Sequence, residues 1–277
     1  MLRRMKDMEG YSISATDGVV GRVKDYYFDD ETWVIRYLIV ETGAWLASRK
    51  VLISPAAINR PDWSESIIPA AITQEQVRNS PDIDTDKPVS RQHEIQYLEY
   101  YRYPHYWTGL GIWGAGAFPN AMQRGLGSGW SAEQYREALD KLDRAKAGRQ
   151  QNEDPHLHSG NTVIRYHVHA TDGDIGHVQG ILIDERTWAI HYLIVNTSNW
   201  WLGHEVLIAP EWISSVNWTD STVTVDVTRQ AIKDAPPYDP AVSLDREHAA
   251  RIHRHDGRDE YRLRKAGYEP AIPHLGP

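Results

Sequence analysis

The chain has 277 residues, with 30 Lys and Arg against 38 Asp and Glu, 11 Trp, 15 Tyr, 2 Phe and no Cys. The length suits one large domain or two small ones, and the lack of Cys excludes disulfides, Cys-ligated zinc, iron–sulfur clusters and thiol catalysis. A net charge of −8 argues against a general nucleic-acid binder, which needs a basic footprint.

The opening stretch, MLRRMKDMEGYSISATDG, carries charges and lacks the apolar region of a secretory signal. Asp17-Gly18 is a hairpin-turn dipeptide, because Gly tolerates the positive φ such turns need. Gly21 to Phe28 begins with alternation and ends apolar, as a half-buried strand does. Asp29 to Thr32 is a polar turn. Ile35 to Val40 is β-branched and aromatic and predicts a central strand. Lys50 to Ser54 predicts another short strand, stopped by Pro55. Thr73-Gln74-Glu75-Gln76 has the capping-box pattern of a short helix that Pro81 closes.

The middle of the chain changes character. Residues 90–107 are helix-permissive and dense in Tyr until Pro104. Residues 107–129 hold seven Gly and two Trp, a composition that predicts a mobile loop. The uncharged run Trp107 to Gln123 is the nearest approach to a spanning segment. It is Gly-rich, interrupted by Pro119 and short of the about 18 apolar residues a membrane helix needs. Ser131 and Gln134 form a second capping box before an apolar stripe of Tyr135, Ala138, Leu139, Leu142 and Ala145.

From residue 170 the sequence repeats itself. Shifted by 155 positions without a gap, ATDGVVG (15–21) lies over ATDGDIG (170–176), DDETWVIRYLIVET (29–42) over DERTWAIHYLIVNT (184–197), and VLISP (51–55) over VLIAP (206–210). Between 15–81 and 170–236 there are 25 identities in 67 positions, where unrelated sequences match at about one position in fifteen. The structural-turn residues Asp17, Gly18 and Gly21 recur as Asp172, Gly173 and Gly176. Trp33, Trp45 and Trp63 recur as Trp188, Trp200 and Trp218 and are read as duplicated core aromatics. Each copy reads as mainly β, with about six short strands joined by tight turns, which suggests a small closed barrel with one terminal helix.

These residues resemble the PRC-barrel family, the β-barrel shared by the cytoplasmic domain of the photosynthetic reaction-centre H subunit and the C-terminal domain of the RimM ribosome-maturation factor. The resemblance rests on A-T-D-G-x-x-G, D-x-x-T-W-x-I-x-Y-L-I-V and V-L-I-x-P, each present twice, over roughly 5–85 and 160–238. The whole is most similar to bacterial stand-alone proteins with tandem PRC-barrels. It implies a mainly β fold of two PRC-type barrels in tandem, each followed by short helices: barrel one over 1–85, a connecting segment over 86–159 with helices near 90–102 and 132–147, barrel two over 160–238 and a helical extension or tail over 239–277. The H subunit's transmembrane helix and a RimM-like N-terminal domain have no counterpart here. The implied role is a non-enzymatic, cytoplasmic docking module for a protein partner, with no cofactor and no nucleic acid expected. The two barrels can pack about a pseudo-twofold axis, as a homodimer does.

Residues able to carry chemistry are present but scattered. Eleven of the 13 His follow residue 155, with i, i+2 pairs at His156/His158, His167/His169 and His253/His255 that could ligate a metal from one strand face. The repeat argues against a shared metal, because His177, His191 and His204 replace Arg22, Arg36 and Arg49; solvated side chains are the expectation at all three. Asp82, Asp84 and Asp86 suggest a calcium loop, but Lys87 and His93 stand where Gly and Glu are required. No hydrolase, phosphate-loop, dinucleotide or zinc-protease motif is present. Catalytic, cofactor and metal residues are therefore none. Trp107, Trp113 and Trp130 lie outside the repeat and are candidates for a partner interface or for packing back on the barrels. Enzymatic or ligand-binding use of an inter-barrel groove is the alternative, with RimM-like ribosome association after it.

Overall fold

The computed structural model describes residues 1–82, 89, 91–108, 111–114, 116–122, 156–197, 204–235 and 237–239. The helix expected over 132–147, the tail from 240, Asp84, Asp86, Trp130 and Trp200 lie outside these. The fold is mainly β. The strands are β1 (Leu2–Arg4), β2 (Ser12–Ala15), β3 (Gly18–Asp29), β4 (Val34–Thr42), β5 (Lys50–Ile53), β6 (Ile67–Pro69), β7 (Leu157–Ser159), β8 (His167–Ala170), β9 (Gly173–Asp184), β10 (Ile190–Asn196), β11 (Glu205–Ile208), β12 (Ile213–Asn217) and β13 (Thr222–Val225). Among the described residues four α-helices accompany them: α1 (Gln74–Arg78), α2 (Arg91–Tyr101), α3 (Gly160–Val163) and α4 (Arg229–Asp234).

The strands form two mixed sheets. One runs β5-β4-β3-β2-β6 and the other β11-β10-β9-β8-β13-β12. Within each, β2–β6 and β8–β13 are parallel and the remaining pairs antiparallel. Among the described residues no ladder closes either sheet into the ring expected of a barrel. The β5 edge is blunted by a side chain instead. The Tyr97 hydroxyl of α2 donates to Leu52 O at 3.0 Å and accepts from Ser54 N at 3.2 Å, which satisfies edge groups that closure would otherwise pair.

Two repeat glycines are fixed by close approach. A Cβ on Gly21 would lie 2.1 Å from Glu41 O, and one on Gly176 would lie 1.9 Å from Asn196 O. Each long strand therefore passes its neighbour at a distance only Gly allows. The turn aspartates act as caps. Asp17 Oδ1 accepts from Gln74 N, the first residue of α1, and Asp172 Oδ1 accepts from Arg229 N, the first of α4, both at 2.8 Å. Thr73 and Gln76 form the capping box read from the sequence.

Each sheet borrows a strand from the other half of the chain. β1 pairs with β9, Leu2 opposite Asp184, and β7 pairs with β3, Leu157 opposite Asp29. Leu2 and Leu157, like Asp29 and Asp184, are repeat counterparts 155 positions apart, so the exchange is reciprocal. Val34 bridges Ala189, its own repeat counterpart. Ile35 N donates to Trp188 O at 2.9 Å and Ile190 N donates to Trp33 O at 2.7 Å. Met5 meets its counterpart Gly160, where a Cβ would come within 2.6 Å of the Met5 thioether. The halves thus meet around an approximate twofold, and the junction is filled: Val34 and Leu157 are fully buried and Met5 is 2% exposed.

Asp25 secures the borrowed β7. It accepts from Asn161 N at 3.1 Å and from the Ser159 hydroxyl at 2.5 Å. Burial pushes its carboxyl above the ordinary 3.8, and these hydrogen bonds offset the rise only in part. A carboxyl whose folded value is raised stabilises the fold fully at acid pH and loses that contribution as pH rises through the folded value. Asp25→Asn should therefore gain stability relative to the parent between pH 3.5 and pH 8 (both about), read from urea midpoints. A difference that is flat or falls with pH would contradict this assignment. Gly176→Ala and Gly21→Ala should each cost about 3 kcal/mol or more, since backbone rather than a mobile side chain must give way, measured the same way.

Candidate functional site

The densest group of buried chemistry lies where α2 and the following segment cover β3 and β4. Asp29 ends β3, and its Oδ1 accepts from the amides of Glu31 and Thr32 at 3.0 and 3.1 Å, closing the polar turn. Its Oδ2 stands 3.4 Å from Arg36 Nη2. Arg36, on β4, is 1% exposed. It donates to Thr32 Oγ1 at 2.9 Å and to Ile112 O, and its guanidinium lies 3.7 Å from the Tyr106 ring centre and 4.9 Å from that of Trp113. The solvated side chain expected at the repeat counterpart His191 is exposed, whereas Arg36 is buried. The connecting segment roofs β4 and encloses Arg36.

Glu94, projecting from α2, is the centre of the group and is fully buried at its side chain. It accepts from the hydroxyls of Tyr106 at 2.8 Å and Tyr37 at 3.1 Å and from Arg91 Nη1 at 3.1 Å. His156 Nε2 lies 2.6 Å away. Burial and then the Glu94 charge push the Tyr37 and Tyr106 hydroxyls well up, so both stay protonated donors. Burial alone would raise Asp29, but Arg36 and the Thr32 amide hold it below its ordinary value. Burial opposes charge on Arg91, yet Tyr106 and Glu94 outweigh it and its value rises. Two guanidiniums thus balance two carboxylates, which is the condition for burying such charges.

The arrangement acts as a clamp. It ties α2, Tyr106, Ile112 and the residue before β7 to one face of β4. Trp113 extends the clamp to the second sheet. It is 1% exposed, and its Nε1 donates to Thr187 O at 2.7 Å. Among the described residues the second copy has no equivalent. Asp184, Thr187 and Tyr192 match Asp29, Thr32 and Tyr37, but His191 replaces Arg36 and Met1 stands for His156.

The aromatic candidates separate by environment. Trp33 and Trp188 sit at the junction with φ of +54° and +60°, a costly conformation for a bulky residue that turns their carbonyls to the other half. Trp45 Nε1 donates to Val20 O at 2.8 Å. Trp63 and Trp218 clamp the borrowed strands: the Arg3 guanidinium lies 4.0 Å over Trp63, and the His158 ring stacks 3.5 Å from Trp218. Trp188 is buried, whereas Trp33, Trp45, Trp63 and Trp218 are half-buried against the core. Trp107 is half-buried, stacked on His105 at 4.7 Å with Arg91 at 4.2 Å. Of the two readings for Trp113, packing back on the barrels fits its burial: its indole finds an acceptor in Thr187 O and a cation in Arg36 inside the fold. The loop expected to be mobile is, over its described residues, pinned by it. Asp82 pairs with Arg49 at 3.2 Å. Glu94 and Tyr106 were not singled out from the sequence. The signal available was the helix-permissive, Tyr-dense stretch 90–107, which marks the segment and not its buried face. Trp212, buried where the first copy has Ala57, was also missed, since unmatched positions carry no repeat signal.

Glu94→Gln should destabilise the protein by about 3 kcal/mol or more, because one partner of a buried ion pair is removed and the other stays behind. Trp113→Phe should cost about 1–2 kcal/mol for the orphaned Thr187 carbonyl. Urea midpoints of the full chain test both, and a neutral Glu94→Gln would mean that the cluster does not hold the segment.

Among the described residues no helix is long and apolar enough to cross a membrane. No curated protein matches the chain. Residues 3–64 match the family model described as the PRC-barrel domain, a stretch that holds β2 to β5 and the Trp33, Trp45 and Trp63 positions.

Proposed function

We propose that the chain is a non-enzymatic, cytoplasmic interaction or scaffold protein built of two PRC-barrel modules. The second module is the 170–236 repeat, and the reciprocal exchange of β1 and β7 fuses the two into one body. The observation that carries this reading is the use of the buried chemistry. Glu94, Asp29, Arg36 and Arg91 are each turned onto partners that bind the connecting segment, and the junction between the copies is packed with Met5, Val34, Leu157 and Trp188. A catalyst needs its charged groups facing a space that a substrate enters. Here those groups serve packing, and the outer faces of the two sheets are left for recognition. The partner is a protein, in keeping with the family's docking role and the acidic net charge.

The test is reconstitution. The full chain serves as bait in its native cell, and any protein recovered is purified and mixed with it at equal concentration. A stoichiometric complex by size-exclusion chromatography supports the scaffold reading. A specific, saturable turnover that Glu94→Gln abolishes while the protein stays folded would replace it with the enzyme reading. Salt-sensitive RNA binding would favour ribosome association instead.

A further inference from the structure

The second sheet carries a pair of histidines that the first does not. His167 on β8 is directly opposite His177 on β9. His167 N donates to Ser221 O at 3.0 Å, on the side of β13. Its backbone polar groups therefore point away from β9, and the His167–His177 pair belongs to the non-hydrogen-bonded class. In that class opposing Cα atoms stand about 4.5 Å apart and the side chains are at their closest.

Opposed residues share a sheet face. The flanking Val168 and Val178 are fully buried on the other face, so both imidazoles lie on the outer side, with His167 exposed and His177 half-buried. Each sits in mid-sheet, where its backbone is held by ladders on both sides: Thr222 of β13 opposes His167, and Asn196 of β10 opposes His177. We propose that His167 and His177 form a two-imidazole site for a divalent transition-metal ion of the zinc, copper or nickel type on the outer face of the second sheet. Imidazole is the ligand these ions favour, and two rings on rigid strands lose little freedom on binding one.

The pair is not a requirement of the fold. The same register in the first copy holds Ser12 opposite Arg22, and Arg22 donates to Gly10 O at 2.9 Å. His169 follows on the same face but is engaged by Asp174, with Nδ1 2.5 Å from Oδ1. Among the described residues no three His, Cys, Asp or Glu converge as a metal cluster. Water fills the remaining positions of the ion, so the site is an open one of modest affinity rather than a structural one.

Zn²⁺ is titrated calorimetrically into the untagged full chain, and Cu²⁺ is followed by electron paramagnetic resonance for nitrogen coupling. One equivalent should bind, with affinity about tenfold or more weaker in His167→Gln and in His177→Gln, as expected when one of two ligands is lost. His169→Gln and a tail variant combining His253→Gln with His255→Gln should bind as the parent does. The double variant Ser12→His with Arg22→His should create a second equivalent in the first sheet, a gain that misfolding cannot imitate. Parent-like binding in His177→Gln, an equal loss in His169→Gln or in the tail variant, or no second equivalent in the double variant would overturn the proposal.

Discussion

The structure depends on one reciprocal contact. Trp33 and Trp188 hold positive φ angles so that each carbonyl accepts an amide from the other half, Ile190 N and Ile35 N respectively. Such a backbone conformation costs of order 1–3 kcal/mol at a bulky residue and persists only where surrounding structure over-determines it. Here the surroundings do so twice. Phe28 stacks on Trp33 at 5.4 Å, Trp188 is buried, and Val34 bridges Ala189 between them. The strained residues are thus the ones that join the copies.

The borrowed strands follow from that junction. Once Val34 and Ala189 are adjacent, the residues before each copy lie nearer the other copy's long strand than their own. β1 completes β9 and β7 completes β3. The crossing residues are held by matched chemistry rather than matched residues. Arg3 pairs with Glu185 at 3.1 Å and covers Trp63; His158 lies 3.1 Å from Asp30 and covers Trp218. A cation or imidazole between a carboxylate and an indole serves both ends, because a flat positive or polarisable group suits the face of a Trp.

Among the described residues the symmetry stops at the connecting segment, and there the copies take different surroundings. In the first copy α2 covers β4 and β5. Its Tyr97 satisfies the β5 edge, and its Glu94 gathers two tyrosines, Arg91 and His156. In the second copy the matching β10 position is an exposed His191. One half therefore encloses its charged groups, while the other displays imidazoles on its outer face. Duplication supplied two equal frames, and divergence at positions 36 and 191 belongs with that difference.

Much of the architecture is legible in the sequence. The 155-residue repeat places the long strand pair twice, the A-T-D-G turn marks residues whose aspartates cap the terminal helices, and the T-x-x-Q pattern sets the start of α1. These features are local, and local spacing is enough to specify them. The burial of Arg36, the inward Trp113 and the central Glu94 were not legible, because each depends on a segment 60 to 80 residues away folding over the sheet. The strand exchange was also hidden. LRR and LHS are three residues each and read alike in either sheet. Which long strand they complete is decided only when the two copies dock, since hydrogen-bond partners in a sheet are set by proximity in space and not by order along the chain.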